Sequence, residues 1–206
     1  YEDLHLIFYF LFVVAIFLLF FSFNQDFSIN LLSLSSSMSN IGFSLGYEQS
    51  NLNFIYLILV IIGGSFFSTS SGLRFIKIYS LFKYSINQIL SFSKPKNIFM
   101  NKLLFTEINF DFKEINKYFL TIIIFIISLF TLTILLSLSS LDFENAFKLS
   151  ILTIMNTVNS AAYGLSDFDF YNLNYFTKYC LILFMIIGRI ELLTILIIIK
   201  NFLFKD

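Results

Sequence analysis

The fold class this sequence predicts is an all-α membrane protein made of two span–pore-helix–span (M1-P-M2) repeats, half of a four-unit pseudo-symmetric cation pore. Three observations lead there. The chain of 206 residues is 58% hydrophobic, holds 30 Phe and carries only 13% charged residues, about half the charge of an ordinary soluble domain. Apolar runs long enough to cross a bilayer recur along it. Two of those runs are broken by short half-polar stretches of one design. The first passes from Asp26-Phe27 to Ser39-Asn40-Ile41-Gly42-Phe43-Ser44, the second from Asp142-Phe143 to Asn159-Ser160-Ala161-Ala162-Tyr163-Gly164. Each leads into a similar apolar segment, Asn51-Leu52-Asn53-Phe54 to Gly63-Gly64 and Asn172-Leu173-Asn174-Tyr175 to Gly188-Arg189. An internal repeat of this kind says more about architecture than any single residue.

The elements follow in order. Residues 4–23 are an almost unbroken apolar run, one transmembrane helix in length. Asp26 suits the N-cap of a helix running to about Met38. Ser33, Ser35, Ser36, Ser37 and Ser39 make it too polar for lipid, so it predicts a re-entrant helix buried against protein. A second span starts at Phe54 and meets Gly63-Gly64-Ser65, then Ser68-Thr69-Ser70-Ser71-Gly72. Small and hydroxyl residues there predict a broken helix, resuming at Leu73-Arg74 and reaching about Leu90. Residues 91–114 are the one extended hydrophilic stretch and hold Pro95, the sole proline, with a weakly alternating 105–110 that suits a strand. Residues 118–138 form the third span, Asp142 to about Val158 the second re-entrant helix, and 175–199 the fourth span. The domains are therefore 1–92, a cytoplasmic linker 93–117, and 118–206. The chain opens at Tyr1 and enters an apolar run at once, which reads as a fragment cut at its N-terminus.

Charge sets orientation. Of 13 Lys and Arg, eight lie between the second and third spans: Arg74, Lys77, Lys83, Lys94, Lys96, Lys102, Lys113 and Lys117. Lys200 and Lys205 follow the fourth span, while the loops carry Asp26, Glu48, Asp142, Glu144, Asp167 and Asp169. By the positive-inside rule the linker and C-terminus are cytoplasmic and the loops face outward, where their acidity concentrates cations. Zero net charge leaves no footprint for nucleic acid. One Cys and one His disfavour a disulfide framework or a His/Cys metal site. There is no nucleophile–base arrangement, and Ser68 to Gly72 lacks the lysine of a phosphate loop.

A cation entering a pore needs substitutes for its hydration shell. Backbone carbonyls on a re-entrant loop supply them, and the C-terminal end of the re-entrant helix adds partial negative charge. Gly42 allows the backbone turn that aims carbonyls inward, and neighbouring hydroxyls add oxygen ligands.

These residues resemble the potassium-transporting subunit of the Trk/Ktr/HKT superfamily, most closely its TrkH type. Ser39, Asn40, Ile41, Gly42 and Phe43 look like that family's third filter segment, and Asn159, Ser160, Ala161, Ala162 and Tyr163 like its fourth. Residues 62–74, with Gly63, Gly64, Ser68, Thr69, Ser70, Ser71, Gly72 and Arg74, look like its intramembrane gate loop. Gly188-Arg189-Ile190-Glu191-Leu192 looks like the Gly-Arg-Leu-Glu signature of its last span. Four positions depart from the pattern: Ala162 stands where a filter glycine is usual and Tyr163 where proline is common, Phe67 replaces a small gate-loop residue, and Arg74 replaces lysine.

The resemblance implies that this chain is the third and fourth pore units and passes potassium, its substrate ion, with no cofactor. It implies a homodimer in the bacterial cytoplasmic membrane, together with the N-terminal half of the same protein and a cytoplasmic nucleotide-binding regulatory subunit. It places Arg189 as a fixed positive charge beside the pore; an ion pair with Glu191 is the plainer alternative, though residues two apart lie on nearly opposite faces of a helix. Lys148 reads as solvated. The competing functions are a sodium-permeable or non-conducting structural subunit of the same fold, and an intramembrane enzyme using Glu191 or Asp167.

Overall fold

The computed structural model describes residues 2–20, 27–44, 52–63, 73, 75–92, 112–159, 161–165, 169–189 and 201. Among these the secondary structure is entirely helical: α1 (Glu2–Phe20), α2 (Phe27–Met38), α3 (Asn53–Ile62), α4 (Phe75–Ser91), α5 (Phe112–Ser137), α6 (Phe143–Met155) and α7 (Tyr175–Arg189), with one 3₁₀ turn at Ala161–Tyr163. The suggested strand at 105–110 lies outside the described residues.

Helix lengths separate two kinds of element. At 1.5 Å per residue, the 26-residue α5 is about 39 Å long, enough to cross a bilayer, whereas the 12-residue α2 and 13-residue α6 reach only about 18–20 Å. Within α5, Lys113–Ser137 is the one described helix long and apolar enough to span. It begins at Phe112, inside the stretch assigned to the linker and six residues before the apolar run, because the sequence Lys113-Glu114-Ile115-Asn116-Lys117 continues the helix beyond the hydrophobic boundary.

α5 is apolar on its outer face as well as on the face it buries. One face of α5 exposes Phe119, Leu120, Ile123, Ile126, Ile127, Phe130 and Ile134, a helical stripe of large apolar side chains. Its opposite face buries Thr121, Ser128 and Thr133 beside Phe125, Leu129, Leu132 and Leu136. The buried hydroxyls are satisfied by backbone carbonyls of their own helix, Thr133 Oγ1 to Leu129 O at 2.8 Å and Ser128 Oγ to Phe125 O at 2.8 Å. Thr133 Oγ1 also reaches Ser150 Oγ on α6 at 3.1 Å. Small hydroxyl residues between helices and large apolar ones outside are what lipid, not water, rewards.

α6 is the centre of the bundle. It packs between α5 and α7 and also meets α3. Its last two turns, Leu149 through Met155, are buried on every side. A short helix with no solvent face is held by its neighbours, not by its own propensity. α2 packs on α3, α3 covers the 3₁₀ turn, and α4 bridges α1 and α5. α3 stops at Ile62, where Gly63 turns to extended backbone (φ −68°, ψ 172°) and its N–H closes on Leu59 O at 2.7 Å.

Candidate functional site

The C-terminal ends of α2 and α6 are built alike. After α2, Asn40 adopts a left-handed φ of 56°, its N–H donates to Ser37 O at 3.2 Å, and Ile41 N–H donates to Ser36 O at 3.1 Å. After α6, Asn156 has φ 53°, its N–H donates to Thr153 O at 3.2 Å, and Thr157 N–H donates to Leu152 O at 3.0 Å. Both are Schellman-type closures with asparagine at the left-handed position, where its short polar side chain is tolerated. α6 therefore ends three residues before the expected Val158.

The likeness continues into the following helices. Asn156 Nδ2 donates to Met185 O on α7 at 3.0 Å. With its amide in the donating orientation, Asn40 Nδ2 stands 3.0 Å from Val60 O on α3 and 3.1 Å from Ser37 O. Three residues beyond each acceptor comes a glycine pressed on the carbonyl at its helix end, Gly63 on Met38 O and Gly188 on Ile154 O; a Cβ on either glycine would overlap that oxygen. Met38, Asn40, Val60 and Gly63 thus correspond one for one to Ile154, Asn156, Met185 and Gly188.

This register changes one pairing. Matching small residues puts Gly42 opposite Ala162. The hydrogen bonds instead set Gly42 two residues past its left-handed asparagine, as Val158 is past Asn156. The two loops touch at these positions: Val158 N–H donates to Ile41 O at 3.4 Å, and Gly42, at φ 81°, lies against the Val158 backbone.

In the first loop, Ser39 Oγ is turned back to Ser35 O at 2.9 Å and Ser36 O at 3.1 Å, and Phe43 N–H donates to Ser36 Oγ at 2.6 Å. The side chains of Ile41 and Phe43 are exposed while Asn40 is buried. In the second loop, two buried oxygens have no hydrogen-bond partner among the described residues, Thr157 Oγ1 and Asn159 Oδ1. The Asn159 amide is fixed by Nδ2 donating to Leu165 O at 3.1 Å, which holds Oδ1 in place. Buried oxygens of this kind call for a partner that donates or carries positive charge, as do Asn30 Oδ1, Asn53 Oδ1, Ser80 Oγ and Thr177 Oγ1 elsewhere among the described residues. Thr157 and Asn159 follow directly on the C-terminal end of α6, the negative end of its dipole.

Ala162 and Tyr163 sit in the 3₁₀ turn at 1% and 0% exposure. Tyr163 Oη and Ser37 Oγ on α2 are 3.2 Å apart, a buried hydrogen bond joining the second loop to α2. Tyr163→Phe is expected to lower stability by about 1 kcal/mol, read as a drop in the melting temperature of the purified full-length protein; no drop would show the hydroxyl to be idle.

Lys148 is half-buried and paired at the surface, not freely solvated. Its side chain is 15% exposed, and its ammonium donates to Glu144 Oε1 at 2.6 Å. That hydrogen bond and the lysine's charge hold the exposed Glu144 carboxyl below the usual carboxylate range. Of the residues expected to form a gate, only Gly63 and Arg189 are described; Gly64, Ser68, Thr69, Ser70, Ser71, Gly72 and Arg74 lie outside, as does Ser160. Arg189 is exposed at the end of α7, one residue past the glycine seated on α6. Asn156, Thr157, Val60 and Met185 escaped sequence reading. Lining up helix ends instead of glycines would have found Asn156, since an asparagine closes both.

Comparison with protein families adds the deciding observation: the TrkH family model, described as cation transport protein, matches residues 29–204. The chain belongs to the TrkH cation transport family. Comparison with individually curated proteins returns no match. TrkH proteins are membrane transporters and not enzymes, so the exposed apolar stripe of α5 and the buried hydroxyls behind it take their ordinary place in a lipid-embedded bundle. Both asparagine-closed loops fall inside the matched region.

Proposed function

We propose that this TrkH-family chain forms two neighbouring M1-P-M2 units of a potassium-uptake pore, α1–α2–α3 and α5–α6–α7, with α2 and α6 as re-entrant pore helices. The observation that carries this reading is the pair of matched helix ends, one of them presenting the unpartnered buried oxygens Thr157 Oγ1 and Asn159 Oδ1 at the negative end of α6. A dehydrated monovalent cation is a partner that satisfies such oxygens without donating a hydrogen bond. Residues 39–43 and 159–163 are then filter segments, 63–74 the gate loop, and Arg189 a positive charge beneath the filter. The proposed setting is the bacterial cytoplasmic membrane, with loops outward and linker and C-terminus inward. The proposed assembly is a homodimer completed by two further units and a nucleotide-binding regulatory subunit, as in the family resembled.

A second reading keeps the fold and changes the ion. The Ile41 carbonyl accepts from Val158 N–H, and Ala162 is walled into a 3₁₀ turn, so the ring of oxygens is irregular; this favours sodium permeation or a non-conducting subunit. Rubidium and sodium uptake into cells lacking their own potassium uptake, supplied with the full-length protein, separates the two. Rubidium uptake well above sodium uptake supports the potassium pore. Comparable uptake of both supports the sodium-permeable reading, and uptake of neither the structural one.

A further inference from the structure

Neither loop is held only by its own helix. Asn40 and Asn156 each close a re-entrant helix with their backbone and reach a following helix with their side chain. The first acceptor has a physical reason to need them. α3 ends at Ile62, its Leu59 carbonyl is taken by the Gly63 N–H, and the Val60 carbonyl is among the terminal ones a helix leaves without an intrahelical partner. Asn40 supplies a donor to it. On α7, Asn156 adds a donor to the Met185 carbonyl in the last described turn and lies beside Gly188, where a Cβ would come within 3.2 Å of Nδ2. The glycine contacts make the arrangement rigid, because a backbone-on-backbone seat has no rotamer to yield.

Resting on the pore reading above, we propose that Asn40 and Asn156 are a twin pair of positioning residues, each pinning its ion-binding loop to the helix carbonyl of Val60 or Met185 so that cation discrimination depends on both amides. Ion-binding oxygens discriminate only when held to a fraction of an ångström. The loop residues that follow, Ile41-Gly42 and Thr157-Val158, touch each other, so slack at either asparagine is passed to both loops. Either clamp also ends three residues before Gly63 or Gly188, so loop position is referenced to the segment leading to the gate loop in one unit and to Arg189 in the other.

The test uses the full-length protein in membranes and three readouts: abundance, rubidium uptake per molecule, and the rubidium-to-sodium uptake ratio. Asn40→Gly and Asn156→Gly keep the left-handed backbone and remove only the amide. Asn40→Asp and Asn156→Asp keep size and backbone tolerance but offer a carboxylate that cannot donate. All four are expected to insert at near-normal abundance and to lose roughly fivefold to tenfold in the rubidium-to-sodium ratio. Gly variants with the wild-type ratio, whether or not abundance falls, would show that the amides only satisfy helix ends, and would overturn the proposal while leaving the pore reading intact. A wild-type protein that takes up neither ion overturns the pore reading and this one with it.

Discussion

Replacing Gly42 with alanine is expected to cut rubidium uptake per membrane-inserted molecule by at least about tenfold. Two costs coincide there. At φ 81° the backbone is left-handed, and an L-residue with a Cβ pays roughly 1–2 kcal/mol for it. The new methyl would also overlap the Val158 carbonyl oxygen and approach the Val158 nitrogen to 2.8 Å. Those are backbone atoms, so no side-chain rotation relieves the overlap; one loop must move away from the other. The Ile41 carbonyl then loses Val158 N–H, and both loops shift together. Asn40 shows by contrast what a left-handed position without such a neighbour allows, since it carries a whole side chain at φ 56°. Because the contact lies between loops and outside the helical core, inserted protein should remain, and uptake per molecule is the quantity that falls. Unchanged uptake would remove Gly42 from the ion path.

Much of this was readable from residue types. Asp26-Phe27 and Asp142-Phe143 mark the starts of α2 and α6, and the serine-rich end of α2 marks a helix that cannot face lipid. Even so, Asp142 makes no side-chain capping bond; its backbone carbonyl accepts Ala146 N–H at 2.8 Å. The misses share a cause. Hydropathy locates the lipid boundary, so it starts α5 at Tyr118, whereas the helix starts at Phe112 where only backbone propensity decides. Residue likeness aligns Gly42 with Ala162, but equivalence is set by hydrogen-bond register, and the closure from Thr157 N–H to Leu152 O is marked in the sequence only by the asparagine before it, which matching glycines passes over. Lys148 reads as solvated because it is charged; instead its stem is half-buried, Gly164 lies near its ammonium, and that ammonium pairs with the exposed Glu144 one turn away.

Arg189→Ala is expected to raise rubidium uptake per molecule by roughly tenfold. Gly188 rests on the Ile154 carbonyl, and Arg189, one residue on, ends α7 with its side chain exposed. On the pore reading proposed above, the negative end of the α6 dipole favours a cation near that end, and the arginine competes with the ion for the same field. At about 10 Å and an effective dielectric near 20, one positive charge repels another by about 1.7 kcal/mol, which is more than a tenfold barrier. Among the described residues no ion pair includes Arg189, so its charge is not cancelled by any of them. Glutamine at this position tests the charge while keeping a long polar side chain, and should behave as alanine does. If arginine instead neutralises a buried carboxylate, either variant strands that partner, and losing one side of a buried pair costs about 3–5 kcal/mol. The two roles then diverge in one membrane preparation: more uptake at normal abundance supports the barrier, and little protein with no uptake refutes it.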